Sequence, residues 1–252
     1  MEEILIKSTL DGTEQPSLFY FSGQGKPLLV GLHTWSFNRK NQVSNMLPYA
    51  EKYGWNLLLP EFRGANKASN PNCREACGSP LAVQDVFDAI EYVSEKYKID
   101  RTKIFLLGAS GGGHMALMVT AKNPELFLAV GSFVPITDLV AWHEYSEGYA
   151  PHIEACLGGE PNEENIADYK ARSPISYVDE LSRANLKIFH GKFDSTVPFT
   201  HSTSLYSLIC EKHPKSRVYL DIFDGGHEMN IETAFRWLLS QMKDEQAERV
   251  TG

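Results

Sequence analysis

The sequence is poor in cysteine, in basic residues and in long apolar runs. Four cysteines in 252 residues are too few for the disulfide framework of a small secreted domain, so we expect a reducing compartment. Lysine and arginine number 24 against 32 aspartates and glutamates, a net charge of −8 without a basic run, and this composition excludes a nucleic-acid footprint. No apolar stretch reaches the roughly 18 residues of a membrane span, and residues 1–12 lack the layout of a secretory signal. We therefore expect a cytoplasmic protein with no nucleic-acid or membrane partner.

Two of the cysteines, Cys73 and Cys77, are close enough in sequence to suggest a metal clip. No second pair of cysteines or histidines with ligand spacing accompanies them, and a structural metal site needs about four ligands. We therefore interpret them as reduced thiols in a polar loop, and we expect no metal site.

Short apolar runs rich in β-branched residues alternate with helical patterns through most of the chain. This alternation predicts one α/β domain over 1–252, with a mostly parallel eight-stranded sheet and helices on both faces. The first two runs lack a helix between them and predict an antiparallel hairpin at one edge. The predicted strands are 4–6, 18–21, 27–32, 56–59, 103–107, 127–133, 186–189 and 218–223, and the predicted helices are 81–97, 112–122, 202–212 and 231–242.

The stretch 135–173 interrupts this alternation. It is too long for a plain connection between a strand and the next element, and it is rich in aromatic residues, Trp142 and Tyr145 among them. We interpret it as a cap-like insertion over the active edge of the sheet rather than a second domain. From this position we expect Trp142 and Tyr145 to line a substrate pocket.

A Gly-x-Ser-x-Gly pattern, GASGG at 108–112, stands where the predicted strand 103–107 turns into a predicted helix. A serine on so sharp a turn needs glycine on either side, because a Cβ there would clash with the turn. The turn exposes the Ser110 hydroxyl and points the Gly111 N–H toward the helix N-terminus, where negative charge is stabilised. A glycine-rich phosphate loop is the weaker alternative, since its lysine and its glycine spacing are both missing. Ser110 is therefore the candidate nucleophile.

A serine nucleophile needs a base that is held by an acid. Asp194 follows the predicted strand 186–189 and His227 follows 218–223, and open α/β sheets place their ligand sites at such strand ends. We therefore predict a triad of Ser110, His227 and Asp194. Asp138 also follows a strand and is the alternative acid.

Two further histidines are weaker candidates for the base. We expect His114 to pack at the start of the helix after Ser110, and His33 to order the loop that follows strand 27–32. That loop has the position from which a second backbone N–H, beside that of Gly111, reaches an oxyanion. We predict the N–H of Trp35 in this role, with that of Thr34 next.

With these motifs, the chain resembles the α/β-hydrolase superfamily, and within it the prolyl-oligopeptidase-like branch and the compact serine esterases close to it. The order serine, aspartate, histidine agrees with that superfamily. The strings that carry the resemblance run over nearly the whole chain: DGTEQPSLFYF (11–21), LLVGLHTW (28–35), PEFRG (60–64), GASGGGHMAL (108–117), SPISY (173–177), HGKFDSTVP (190–198) and DGGHEM (224–229).

The resemblance implies that Ser110 is the nucleophile, His227 the general base and Asp194 its orienter. It implies an oxyanion hole formed by Gly111 and the 34–35 loop. Peptidases of that branch usually carry a large N-terminal propeller, whereas 26 residues precede position 27, so we expect no propeller. Thr34 also stands where glycine is usual.

The expected activity is cleavage of a carboxylic ester through an acyl-enzyme, without a metal or organic cofactor. The first alternative is an aminopeptidase or short-peptide hydrolase, and the second is a catalytically silent hydrolase fold that only binds. The substrate is accordingly a small-molecule ester or a short peptide. Its identity, its acyl chain length and the oligomeric state stay open.

Overall fold

Eight strands form one sheet in the computed structural model, which describes the backbone of residues 1–251 and the side chains of residues 1–242. Within these residues the strand order is β1-β2-β4-β3-β5-β6-β7-β8. β1 and β2 pair antiparallel, β2 is antiparallel to β4, and all other neighbours are parallel. The strands are β1 (Glu2–Lys7), β2 (Glu14–Tyr20), β3 (Leu28–Leu32), β4 (Asn56–Pro60), β5 (Ile104–Ala109), β6 (Ala129–Phe133), β7 (Leu186–Gly191) and β8 (Val218–Phe223).

The central strands are buried on both faces because helices cover the sheet on either side. Every residue of β3, β4, β5 and β6 is buried, which explains why these strands are continuous apolar runs rather than alternating patterns. The helices are α1 (Val43–Tyr53), α2 (Pro80–Tyr97), α3 (Gly111–Lys122), α4 (Leu139–Tyr145), α5 (Ala150–Leu157), α6 (Ile166–Ala171), α7 (Val178–Leu181), α8 (Thr200–Lys212) and α9 (Ile231–Thr251).

The two faces of the sheet have separate cores. Residues of α2, α3, α7 and α8 pack on one face together with Leu28 and Val30. Residues of α1 and α9 pack on the other face together with Leu29, because successive side chains of a strand point to opposite faces. The predicted α/β-hydrolase fold, with its mostly parallel sheet and its antiparallel edge hairpin, is confirmed.

Two helices of the sheet layers, α1 and the short α7, are missing from the helices that the sequence predicts. α1 carries Pro48 in its interior, and an interior proline removes a backbone donor and normally ends a helix. Its apolar face nevertheless packs on the sheet through Met46 and Ala50, both fully buried. Tertiary packing therefore outweighs the local signal here.

The stretch predicted as an insertion carries α4, α5 and α6, and it shares a third apolar cluster with the loops beneath it. Cys73 and Cys77 lie in this cluster beside Cys156, so the two thiols are buried rather than placed in a polar loop. The role of 135–173 as a cap stays a prediction. Within the described part of the chain, no helix is long and apolar enough to cross a membrane.

Candidate active site

Ser110 sits on the turn between β5 and α3 in a backbone conformation that is rare for a residue with a side chain. Its φ is +56° and its ψ −122°, a region that costs energy outside glycine. The neighbouring glycines are required by space. A Cβ on Gly112 would lie 2.6 Å from the Leu32 carbonyl oxygen, and one on Gly108 would meet the carbonyl of Gly112. The turn thus holds the Ser110 hydroxyl at the end of the strand.

The structure brings Ser110, His227 and Asp194 together in one hydrogen-bonded chain. His227 Nε2 lies 2.8 Å from Ser110 Oγ, and His227 Nδ1 lies 2.7 Å from Asp194 Oδ2. A carboxylate only accepts hydrogen bonds, so Nδ1 carries the proton and Nε2 accepts the Ser110 hydroxyl. The three side chains meet because β5, β7 and β8 run parallel and end at the same edge of the sheet.

The Asp194 carboxylate is fully buried and fully paired. Its Oδ1 accepts the backbone N–H groups of Thr196 and Val197, both at 2.9 Å. Burial alone would raise the pKa of Asp194, but the neighbouring imidazoles of His190 and His227 outweigh it and hold that pKa well below its usual range. A carboxylate that stays ionised can stabilise the imidazolium that forms when His227 takes a proton.

Of the two predicted donors in the 34–35 loop, only one has its N–H free to face the nucleophile. The Thr34 N–H donates to Asn41 Oδ1 at 3.1 Å, so Thr34 does not serve as the oxyanion donor that was the second choice. The Trp35 backbone lies against Gly111, where an added Cβ would be 2.5 Å from Trp35 Cα and closer still to its N. Neither the Trp35 N–H nor the Gly111 N–H has an acceptor among the described residues, so both can point at a developing oxyanion.

A cleft of about 290 Å³ opens beside Ser110 and His227. Its lining contains one aromatic and apolar set and one set of side-chain amides. The first set is Trp35, Phe37, Tyr149 and Met229, and the second is Asn41, Gln42 and Asn45.

Trp142 and Tyr145 do not lie on the wall of this cleft. Trp142 is completely buried and packs edge-on against Trp35, with ring centroids 4.8 Å apart, and its Nε1–H donates to the Thr196 carbonyl at 2.9 Å. Tyr145 is half exposed, and its hydroxyl donates to the Ser195 carbonyl at 3.2 Å. Both side chains therefore brace the loop that follows Asp194. Tyr149, another aromatic residue of this stretch, does line the cleft.

The alternative residues have other partners. Asp138 caps α4 by accepting the N–H groups of Val140 and Ala141. Both ring nitrogens of His33 face backbone carbonyl oxygens of its own loop and of Glu61, and His114 is buried against the Arg172 carbonyl. None of these three side chains contacts Ser110 or His227 within the described residues.

A model of the prolyl oligopeptidase family matches residues 43–243, most of the chain. The chain belongs to the prolyl oligopeptidase family. The resemblance inferred from the motifs is thus confirmed, and the chain has the serine-hydrolase fold of this family.

Curated members of the family match at moderate identity. Acylamino-acid-releasing enzyme 1 of Oryza sativa subsp. japonica is 25% identical over 188 residues, which are 70% of this chain and 24% of that protein. A Rattus norvegicus protein named inactive dipeptidyl peptidase 10 is 32% identical over 127 residues, 50% of this chain and 15% of that protein. The chain spans about a quarter of the length of the acylamino-acid-releasing enzymes that it matches.

A solved structure of the family has the same fold. The uncomplexed acylaminoacyl peptidase of Pyrococcus horikoshii superposes with a TM-score of 0.71 at 22% identity, covering 90% of this chain and 37% of that one. The comparison supports the α/β-hydrolase architecture described above.

Proposed function

We propose that the chain is a serine peptidase that hydrolyses short peptides, with Ser110 as nucleophile, His227 as general base and Asp194 as the acid that orients His227. The observation that carries the proposal is the chain of hydrogen bonds that joins Ser110 Oγ to His227 Nε2 at 2.8 Å and His227 Nδ1 to Asp194 Oδ2 at 2.7 Å. Its setting in a family of peptidases favours the peptide alternative over the carboxylic ester.

In the proposed reaction, Ser110 Oγ attacks the scissile carbonyl carbon while His227 Nε2 takes the hydroxyl proton. The N–H groups of Trp35 and Gly111 stabilise the resulting oxyanion, each by about 3 kcal/mol. The proton then passes from His227 to the leaving amine, and an acyl-enzyme remains on Ser110. Water, deprotonated by the same histidine, releases the acid and restores the hydroxyl.

The matched acylamino-acid-releasing enzymes suggest peptides with an acylated N-terminus as the substrate. Such a terminus is uncharged. The side-chain amides of Asn41, Gln42 and Asn45, which line the cleft, can hydrogen-bond to it, and no charged group is needed to bind it. Glu228 also lines the cleft, and a carboxylate there would instead favour a free ammonium group. The choice between the two termini is therefore measurable.

The test compares wild type with Ser110→Ala on acetyl-alanyl and alanyl p-nitroanilides and on a p-nitrophenyl ester series from acetyl to dodecanoyl. We expect turnover of the acylated anilide, with the alanyl anilide at least about tenfold slower in kcat/KM, a difference of about 1.4 kcal/mol. Turnover should be absent in Ser110→Ala and unchanged in Ser204→Ala, an exposed serine on α8.

A fluorophosphonate probe separates the remaining outcomes. Labelling of wild type with turnover of esters alone would overturn the peptidase proposal and restore the esterase interpretation. A wild type that is neither labelled nor active would indicate the silent fold, which the name of the rat relative shows to occur among similar proteins.

A further inference from the structure

A second histidine, His190, touches the carboxylate of Asp194. His190 lies near the end of β7 and is completely buried. Its Nε2 is 3.3 Å from Asp194 Oδ2 and 2.9 Å from the carbonyl oxygen of Val197. The hydrogen bond of the His190 ring goes to Val197. Asp194 Oδ2 lies within ion-pair distance of this ring and accepts its hydrogen bond from His227.

The surroundings of His190 determine where its proton lies. Both oxygens near Nε2 are acceptors without hydrogen, so Nε2 must carry the proton. Nδ1 is then the acceptor for the hydroxyl of Ser202, 2.7 Å away and fully buried on α8. The Ser202 hydroxyl thus donates to Nδ1 and holds the plane of the ring, from a helix outside the loop.

His190 also closes the loop that surrounds the carboxylate. The Val197 N–H donates to Asp194 Oδ1, while the Val197 carbonyl accepts from His190. The preceding carbonyls of Ser195 and Thr196 are held by side chains of α4, but these side chains do not contact the carboxylate. Of these three braces, His190 is the one that binds the loop backbone and also has its ring nitrogen 3.3 Å from the carboxylate.

We propose that His190, locked by Ser202, is a positioning residue of the triad, which sets the orientation of Asp194 and through it that of His227. This inference rests on the proposed function only in assigning Ser110 and His227 as nucleophile and base. Without the His190 N–H, the Val197 carbonyl loses its hydrogen-bond donor. The loop whose N–H groups hold Asp194 Oδ1 can then shift and turn the carboxylate away from His227. His190 does not line the cleft, so substrate binding should not change.

The first test compares His190→Leu, which removes the donor, with His190→Gln, whose amide nitrogen can replace Nε2. We expect His190→Leu to lower kcat by about 10–100-fold, the range seen when a residue that orients a metal-binding side chain is removed. KM should stay within about threefold of wild type by the same argument. His190→Gln should recover most of the lost kcat.

The control is His201→Leu, because His201 is nearly as buried and lies beside Ser202 on α8, yet its hydrogen bonds go to Thr137. It should lower the midpoint temperature of unfolding about as much as His190→Leu does, and it should leave kcat near the wild-type value. The rate of labelling by a fluorophosphonate is measured on every variant as well, because it reports the reactivity of Ser110 whether or not a peptide is cleaved.

Equal kcat losses in His190→Leu and His190→Gln, or a loss matched by His201→Leu, would overturn the proposal. Failure of peptide turnover in wild type with normal labelling would overturn the proposed function but leave this inference measurable. Should His190→Leu not fold, Ser202→Ala replaces it. That variant keeps the ring but removes the hydrogen bond that holds its plane, and it should slow labelling, whereas an unchanged rate would contradict the proposed role.

Discussion

Replacement of Gly111 by alanine would test the oxyanion site directly. The added Cβ would lie 2.5 Å from Trp35 Cα and 2.8 Å from Trp35 Cβ, whereas unstrained carbon atoms approach to about 3.5 Å. The nearest atoms are backbone atoms, which cannot swing aside as the end of a long side chain can. The Trp35 loop must therefore move away from Gly111 by about 1 Å.

Gly111→Ala has two opposing effects on the free energy of unfolding. Alanine is the better helix former by up to about 1 kcal/mol, and Gly111 is the first residue of α3. Forcing an additional methyl into a packed site costs about 1–3 kcal/mol. We therefore expect a net loss of about 1–2 kcal/mol in the free energy of unfolding, small enough for the variant to fold.

The effect on catalysis should be much larger. A displacement of about 1 Å takes the Trp35 N–H out of hydrogen-bond range of the oxyanion, and removal of one such donor lowers kcat by about 10²–10³, or about 2.7–4 kcal/mol. The interaction forms only in the transition state, so KM should change little.

The assay is steady-state hydrolysis of the reporter that wild type prefers, with urea unfolding measured in parallel. Gly148→Ala is the matched control, because no heavy atom lies within 4 Å of its added Cβ, and it should keep the wild-type kcat. A folded Gly111→Ala protein whose kcat lies within about threefold of wild type would show that the Trp35 N–H does not serve the oxyanion, contrary to the magnitude expected for a lost donor.

Two further predictions concern stability. Burial lowers the pKa of His114 and of His201 from the usual 6.5 to about 4. The unfolded chain therefore binds these protons first, and the free energy of unfolding falls as the pH drops from about 6.5 to about 4. For each histidine we expect a loss of about 2 kcal/mol between pH 7 and pH 5, measured by urea unfolding. Arg63→Met should lower the free energy of unfolding by about 3–5 kcal/mol, because it leaves the buried carboxylate of Asp85, 2.6 Å from Arg63 Nε, without its charged partner. Arg236→Met removes an exposed ion pair and should cost less than about 1 kcal/mol.

Each of these stability predictions has a result that contradicts it. For the histidines, His201→Asn can still accept the Thr137 N–H but cannot titrate, so it should remove about half of the loss at pH 5; an unchanged loss would mean that other groups cause it. For the ion pair, equal destabilisation by Arg63→Met and Arg236→Met would show that burial of the pair is not decisive.

Several features of the candidate site could be predicted because they depend on local pattern and on topology alone. The glycines around Ser110 are visible in the sequence, since a sharp turn excludes side chains wherever it occurs. Asp194 and His227 follow predicted strands, and parallel strands of one sheet end at a common edge. The juxtaposition of these three residues therefore follows from strand order without knowledge of any contact.

Other features depend on contacts between segments far apart in the chain. The Thr34 N–H, predicted as the second-choice donor, donates to Asn41 Oδ1, and no pattern in the sequence predicts that hydrogen bond. Trp142 was expected on the cleft wall but reaches Thr196, 54 residues away. The direction of a side chain within an irregular stretch is determined by what packs against it.

The sequence by itself determined the eight strands, the four helices α2, α3, α8 and α9, the fold class and which side chains follow the ends of the parallel strands. Apolar periodicity and turn chemistry act over a few residues, so they can be recognised in the chain alone. The tertiary structure decided that α1 forms around Pro48 and that the Trp35 N–H, unlike that of Thr34, has no acceptor among the described residues. It also decided that His190 lies against the Asp194 carboxylate. Each of these depends on the pairing of a buried polar or apolar group with a partner distant in sequence, and only the folded chain selects that partner.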